Sequence, residues 1–215
     1  LQSSRRVVQT TVSCADTHVF IVNRIARACY AEVFAVHEAQ SADPATIGAI
    51  RSESGGFRMG AFELTDLIGQ DVNEAVTHSV WQSFFQDVRF TPSLAQRRLV
   101  ESGRLGRKAG HGWYDHGEGA EKPEPHTADK EQPPAYVLAE GDLGPAAELL
   151  ALIREAGIQV RTEDGDEDGH LELPGGGQLV LADGQTSVEF RDVVYFDLAL
   201  DYRKAPRIAL SASQD

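Results

Sequence analysis

Apolar positions recur at helical spacing over the first half of the chain and at strand spacing over its last third. From Phe20 to Gln40 the apolar residues Phe20, Ile21, Val22, Ile25, Ala28, Cys29, Ala31, Val33, Phe34 and Val36 cover more than one face. That pattern predicts a long helix buried among other helices, with Cys29 as a small core residue. Within it Asn23, Arg27 and Tyr30 fall at i, i+4 and i+7 and so share one face. Asp43-Pro44 predicts a helix start, with Asp as N-cap and Pro in the first turn. The helix ATIGAIRSES is expected to end at Gly55-Gly56. A short apolar helix follows Gly60 and closes at Gly69. Asp71 and Glu74 have capping-box spacing ahead of a helix over 72–86. Thr91-Pro92 opens another helix, SLAQRRLVESG, that ends near Gly103. RLGRKAGHGWYDH mixes glycine, aromatic and basic residues and predicts an extended tail laid on the helices. Val7–Ser13 is β-branched and predicts a short strand.

Beyond Tyr114 the pattern changes. Residues 116–134 hold four prolines among charges and predict a Pro-rich acidic linker. From Ala135, AYVLAEG, GPAAELLALIREAG and IQVRTED read as strand, amphipathic helix and strand, the start of a β-α-β unit. QLVLADG and TSVEFRD predict further short strands or a hairpin, and VVYFDLAL is the strongest apolar run before a last segment, RIALSAS. The expected organisation is a helical domain over 1–115, a linker over 116–134 and a small α/β domain over 135–215.

Charge follows the same division. Residues 1–114 carry 12 Lys and Arg against 11 Asp and Glu, whereas residues 115–215 carry 8 against 22. An acidic second half repels nucleic acid and anionic membranes. No apolar run approaches the roughly 20 residues that span a bilayer, so neither partner is expected. The two cysteines, Cys14 and Cys29, form no disulfide framework, and a reducing cytoplasm is the default expectation. The chain starts without Met and has no apolar run after Arg5-Arg6. It is therefore expected to carry no signal peptide and to be a fragment or trimmed chain.

Three linked motifs carry a resemblance. DTHVFIVNRIARACYAE, ADPATIGAIRSESGGFRMGAFELTDLIGQDVN and RLGRKAGHGWYD occur in the order and spacing of the C-terminal helical domain of the 3-hydroxyacyl-CoA dehydrogenases. The resemblance covers nearly all of residues 8–115 and is strongest to the 3-hydroxybutyryl-CoA and 3-hydroxyadipyl-CoA dehydrogenases of aromatic catabolism. Residues 135–210, with GDLGPAAELL and VVYFDLALDY, resemble the reduced Rossmann-like domain that follows in the longer enzymes of that group. The fold class implied is a mainly α-helical dehydrogenase domain followed by a small, reduced Rossmann-like α/β domain.

The resemblance implies oxidation of a 3-hydroxyacyl-CoA by hydride transfer from its C3 to NAD, with a His base oriented by a Glu. In the family, NAD and that dyad belong to an N-terminal Rossmann domain whose Gly-rich turn reads G-x-G-x-x-G. No such triplet occurs in these 215 residues, and EGDLGPAA after the AYVLAEG strand lacks it. The implied role of this chain is a substrate-pocket wall and a homodimer interface, inactive in isolation. The alternative is a non-catalytic dimerisation or partner-binding module derived from the same family.

Asn23 aligns with a family active-site Asn, whose amide can donate and accept and so hold a carbonyl without charge. A buried Asn satisfied by helix backbone is the plain alternative. Phe57, Met59, Gly60 and Phe62 would line the acyl pocket, against the alternative that apolar residues near a glycine turn are ordinary core. Arg24 and Arg27 have the charge for CoA phosphates but more often pair with nearby acids. Glu63 suits a helix N-terminus. Three prolines usual in the family are His18, Ala28 and Ala61 here, each loss freeing a φ angle. Asp164–Gly169 imitates a calcium loop but has Gly175 where the twelfth ligand belongs, and no metal is expected.

Overall fold

The structure, a computed structural model, describes residues 13, 15, 21–165 and 169–213. The strand expected over Val7–Ser13 lies outside them, apart from Ser13. The chain packs as two compact units, one of residues 1–44 and 61–123, the other of residues 45–60 and 124–215. Among the described residues are six α-helices and one six-stranded mixed sheet.

In the first unit α1 (Val22–Glu38) buries Arg27, Tyr30 and Phe34. Phe34 meets Phe62 of α3 (Ala61–Ile68) and Trp113 of the tail, each with ring centroids 5.6 Å apart. The opposite side of α1 is open: Ile21, Val22, Ile25 and Val36 are exposed, and so is Cys29. The expected burial of α1 among other helices, over more than one face, is therefore corrected, and Cys29 is a surface residue. Periodicity reports the width of an apolar stripe; it does not say that a neighbour covers all of it.

Helix α4 (Gln70–Ser83) starts two residues earlier than its sequence suggests. Gly69, at φ +104°, occupies the N-cap, and Gln70 donates its amide to the Leu105 carbonyl at 3.2 Å. The expected capping box is absent. Asp71 instead holds the Lys108 ammonium at 2.5 Å, and Glu74 accepts from Arg97 at 2.9 Å. The Lys108 hydrogen bond is the main influence that lowers the Asp71 pKa. Helix α5 (Leu94–Glu101) has Ser93 as a true N-cap, whose hydroxyl accepts from the Gln96 amide at 3.0 Å.

The tail over 104–116 is bound to the helices by one buried side chain. The Asp66 carboxylate, 1% exposed, accepts the backbone amides of Trp113 at 2.9 Å and Tyr114 at 3.0 Å. It also accepts Gln70 Nε2 at 2.6 Å and contacts His116 Nε2 at 2.8 Å. Gly112 has no space for a Cβ because the same carboxylate fills it, and Gly106 lies against the Asp66 backbone. Two glycines of the tail motif are thus set by the close approach of one residue.

The second unit contains α2 (Pro44–Ala49, from its second residue), the π-helical turn Ile50–Ser54 and the sheet. Strand β1 (Tyr136–Glu140), α6 (Glu148–Glu155) and β2 (Gln159–Glu163) form the expected β-α-β unit, with β1 and β2 parallel in the register Tyr136 to Gln159. Strand β3 (His170–Glu172) pairs antiparallel with β1 and with β4 (Gln178–Leu181), giving the order β2-β1-β3-β4-β5-β6. Strand β5 (Val193–Phe196) is parallel to β4, and β6 (Leu210–Ala212) closes the edge antiparallel to β5. TSVEFRD is not a strand. It makes a 3₁₀ turn over Ser187–Glu189 inside the crossover that two parallel neighbours require. The core joins Ala139, Leu143, Ala146, Leu171, Phe196 and Tyr202, with the apolar side of α6 packed on it.

Replacing Asp66 with Ala leaves the buried Tyr114 amide, the part-buried Trp113 amide and the Gln70 side chain without this acceptor. The unfolding free energy from urea titration is expected to fall by about 3 kcal/mol. Loss of less than about 1 kcal/mol, the range of an ordinary surface substitution, would contradict the anchoring role.

Candidate substrate-binding site

Asn23 lies in the first turn of α1, and its side chain is exposed. The face it shares with Arg27 and Tyr30 does exist, but its members differ in burial. Arg27, 5% exposed, donates from Nη1 to the Thr77 hydroxyl at 3.0 Å and the Asn73 carbonyl at 3.3 Å of α4. Its guanidinium also lies 4.6 Å from the Tyr30 ring centroid. Burial lowers the Arg27 pKa, opposed by the interaction with Tyr30. This arginine is built into the core and is not available to a CoA phosphate. Arg24 is exposed and lies 4.7 Å above the Phe84 ring. One helical face thus turns from a packed, hydrogen-bonded interior at Arg27 and Tyr30 to an open amide at Asn23. An amide there presents both a donor and an acceptor.

The glycine-rich stretch supplies residues of different kinds. Phe57 is half-exposed, at 51%, with the Arg51 guanidinium 4.4 Å from its ring centroid. Met59 is partly buried. Gly60 is buried, and a Cβ on it would come within 2.8 Å of Gly48 Cα, so this glycine serves the approach of two backbone segments. Phe62 has no exposed surface and packs edge-on to Trp113 at 4.7 Å and to His37 at 5.5 Å. Its position is that of a core residue. Among the four residues expected to line the pocket, Phe57 and Met59 are therefore the ones with side-chain surface to offer an apolar ligand.

The π-helical turn explains how the stretch is shaped. Gly55 donates its amide to the Ile50 carbonyl at 3.1 Å, five residues back, and Gly56 turns the chain at φ +69°. A wider helical turn of this kind often stands beside a functional surface. The sequence shows where the helix breaks at Gly55-Gly56, but no residue in IRSES announces a π-turn.

Glu63 belongs to a separate polar cleft of about 390 Å³, lined also by Arg107, Tyr114, Asp115, His116 and Lys122. Its carboxylate takes Arg107 at 3.2 Å and Lys122 at 2.9 Å. Both cations are thus already paired, which leaves the cleft without surplus positive charge for a phosphate. Burial, aided by Glu63, Asp66 and Asp43, raises the Tyr114 phenol well above the usual tyrosine range, and its hydroxyl donates to the Pro44 carbonyl at 2.8 Å.

The turn between β1 and α6 is the place where a dinucleotide-binding fold cradles a pyrophosphate. Here the residues do not fit one. The Asp142 carboxylate accepts the Gly144 amide at 2.8 Å, taking a donor that a phosphate would need. The Asp142 carbonyl accepts from Gly169 at 3.0 Å, and Leu143 and Ala146 are buried in the sheet core. Asp166–Asp168 of the acidic loop lie outside the described residues, and no three metal-ligating side chains cluster among those described.

Comparison with known proteins finds family models that match two parts of the chain. The family model for the 3-hydroxyacyl-CoA dehydrogenase C-terminal domain matches residues 20–116. The model for the 3-hydroxybutyryl-CoA dehydrogenase reduced Rossmann-fold domain matches residues 179–215. The chain is 55% identical over 104 residues to the 3-hydroxyadipyl-CoA dehydrogenase of Escherichia coli (strain K12), covering 48% of this chain and 22% of that protein. It is 32% identical over 111 residues to the mitochondrial hydroxyacyl-coenzyme A dehydrogenase of Sus scrofa, covering 52% and 35%. The crystal structure of 3-hydroxybutyryl-CoA dehydrogenase from Escherichia coli K12 matches all of this chain and 40% of its own, with a TM-score of 0.76 and 32% identity. The chain spans well under half the length of each of these relatives.

Removing the Arg27 side chain is expected to cost about 2–3 kcal/mol of stability, since Thr77 and the Asn73 carbonyl lose a buried charged donor. Arg24→Ala is expected to cost under about 1 kcal/mol, the scale of an exposed cation–π contact. Urea titration of the two variants side by side checks the contrast, and equal losses would contradict the structural role of Arg27.

Proposed function

Since the chain belongs to the 3-hydroxyacyl-CoA dehydrogenase family by its residues 20–116 and 179–215, we propose that it supplies the substrate-side half of an NAD-dependent oxidation of 3-hydroxyacyl-CoA to 3-oxoacyl-CoA. The observation that carries this reading is the family match over residues 20–116, with Asn23 exposed at the open end of an otherwise packed helical face. Asn23 holds an acyl-CoA oxygen by its amide, as a donor that adds no charge beside a carbonyl. Phe57 and Met59 give the acyl chain an apolar wall, with Gly60 and Phe62 holding their own segments in place. NAD, when bound by the family's Rossmann domain, accepts the hydride. The turn after β1 in this chain does not provide that site, so this chain alone turns over no substrate. Organisation as a helical domain, a linker over 116–134 and a third part from residue 135 belongs to the same proposal, as does a cytoplasmic location.

The exposed row Ile21, Val22, Ile25 and Val36 on α1 supports the further reading that the helical domain associates, with a second copy as the family-based partner. A large apolar patch on a soluble domain commonly marks an association surface. That observation equally favours the alternative of a non-catalytic dimerisation module, and activity separates the two.

The test is a chimera that joins this chain behind the NAD domain of the Escherichia coli 3-hydroxyadipyl-CoA dehydrogenase. It is expected to reduce NAD with 3-hydroxyacyl-CoA, and Asn23→Ala is expected to lower kcat/KM by about 100-fold, the scale of a lost interaction with developing charge. A folded chimera without activity would favour the module. Turnover by the chain alone would overturn the assignment of the catalytic half to another domain.

A further inference from the structure

The family match leaves the α/β part of the chain without a task, and the second unit contains a set of contacts that supplies one. The π-helical turn and the glycines after it are held by the segment between β5 and β6. Leu200 donates its amide to the Ser54 carbonyl at 2.8 Å. The Ser54 hydroxyl, on a residue only 4% exposed, donates to the Arg207 carbonyl at 2.8 Å. Arg207 Nε in turn pairs with Glu53 at 3.3 Å. A Cβ placed on Gly56 would come within 2.5 Å of Leu200 Cδ2, so the Leu200 side chain sits on the turn itself. Two hydrogen bonds to backbone carbonyls, one ion pair and one apolar side chain therefore converge on Glu53, Ser54 and Gly56.

Two features show that this is more than incidental packing. The turn is π-helical, a geometry of poor intrinsic stability that persists where surrounding contacts favour it. The contacts also cross a long interval of sequence, from residues 53–56 to 200–207, and so tie the α/β part of the chain to the stretch that carries Phe57 and Met59. Phe57 in the held segment remains 51% exposed and Leu200 in the bracing segment 77%, so both keep apolar surface open.

We propose that the segment over 197–208 is a brace that fixes the conformation of residues 50–57 and thereby sets which acyl chains the Phe57 and Met59 wall accepts. Leu200, Ser54 and Arg207 are positioning residues: they act through the turn, not on the reacting atoms. The proposal rests on the dehydrogenase reading for its substrate, and on the contacts alone for its mechanics.

The experiment has two arms, with Ser54→Ala and Leu200→Ala as variants and Leu200→Met as the conservative rescue. In this chain, amide hydrogen exchange at Gly55 and Phe57 is expected to speed up by about tenfold or more in the Ala variants, with α4 unchanged, as local opening becomes easier. In the chimera, the ratio of KM for 3-hydroxybutyryl-CoA to KM for 3-hydroxyoctanoyl-CoA is expected to move by about fivefold or more while kcat stays within about twofold, and Leu200→Met restores the ratio. Unchanged exchange overturns the brace whatever the kinetics. Faster exchange with an unchanged KM ratio overturns its role in selection, as does an equal fall in kcat for both substrates. An unaltered chimera that turns over neither substrate overturns the dehydrogenase reading and the substrate half of this proposal together. The exchange arm then still decides the mechanics.

Discussion

A carboxylate buried among four hydrogen-bonding partners constrains the first unit. Asp66 sits in an apolar helix with almost no exposed surface, where a charge is costly unless it is fully hydrogen-bonded. Four partners meet that demand, and two of them are backbone amides of the tail at Trp113 and Tyr114. Satisfying the carboxylate therefore fixes the path of the tail, and the tail brings Trp113 against Phe34, Phe62 and His37. The aromatic cluster depends on a polar contact for its assembly.

The same carboxylate begins a polar chain through the interior. Gln70 donates to Asp66 and accepts from Gln96, which also donates to the Asn73 side chain at 3.1 Å. Asn73 and Thr77 then receive Arg27 of α1. The tail, α3, α4, α5 and α1 are thereby connected through side chains that are nearly all buried. Hydrogen bonds have directional requirements that apolar packing lacks, so such a network specifies one arrangement of the helices over others. This also explains why Arg27, which has the charge to bind a phosphate, serves the interior instead.

Much of this organisation was legible in the sequence, and its limits have physical causes. Helical spacing located α1, α4 and α5, and the β-α-β start from Tyr136 to Glu163 was clear because strand and helix periods alternate there. Strand β3 was not legible: His170–Glu172 is three residues long with one apolar side chain, and β1 and β4 pair with it on both sides. TSVEFRD alternates like a strand, but a parallel β4–β5 pair needs a crossover, and topology overrode the local pattern. For the candidate site, the glycine turn could be located, whereas the exposure of Asn23 and the burial that separates Phe62 from Phe57 could not. Asp66 left one faint trace, the glycines of GRKAGHGWYD, two of which lie where a side chain would collide with it.

The second unit has a Rossmann-like β-α-β start whose turn is closed by its own side chains. A phosphate-binding turn needs free amides at the start of a helix and room for backbone approach. In the turn after β1 an internal carboxylate accepts the Gly144 amide, and the next residues enter the core. The constraints visible on the sheet are its internal packing and the connection from β5 to β6. That connection contacts the π-helical turn through backbone groups as much as side chains. Backbone contacts tolerate sequence change better than side-chain contacts do. A connection that meets a neighbouring turn largely through backbone groups can therefore change in sequence and keep those contacts.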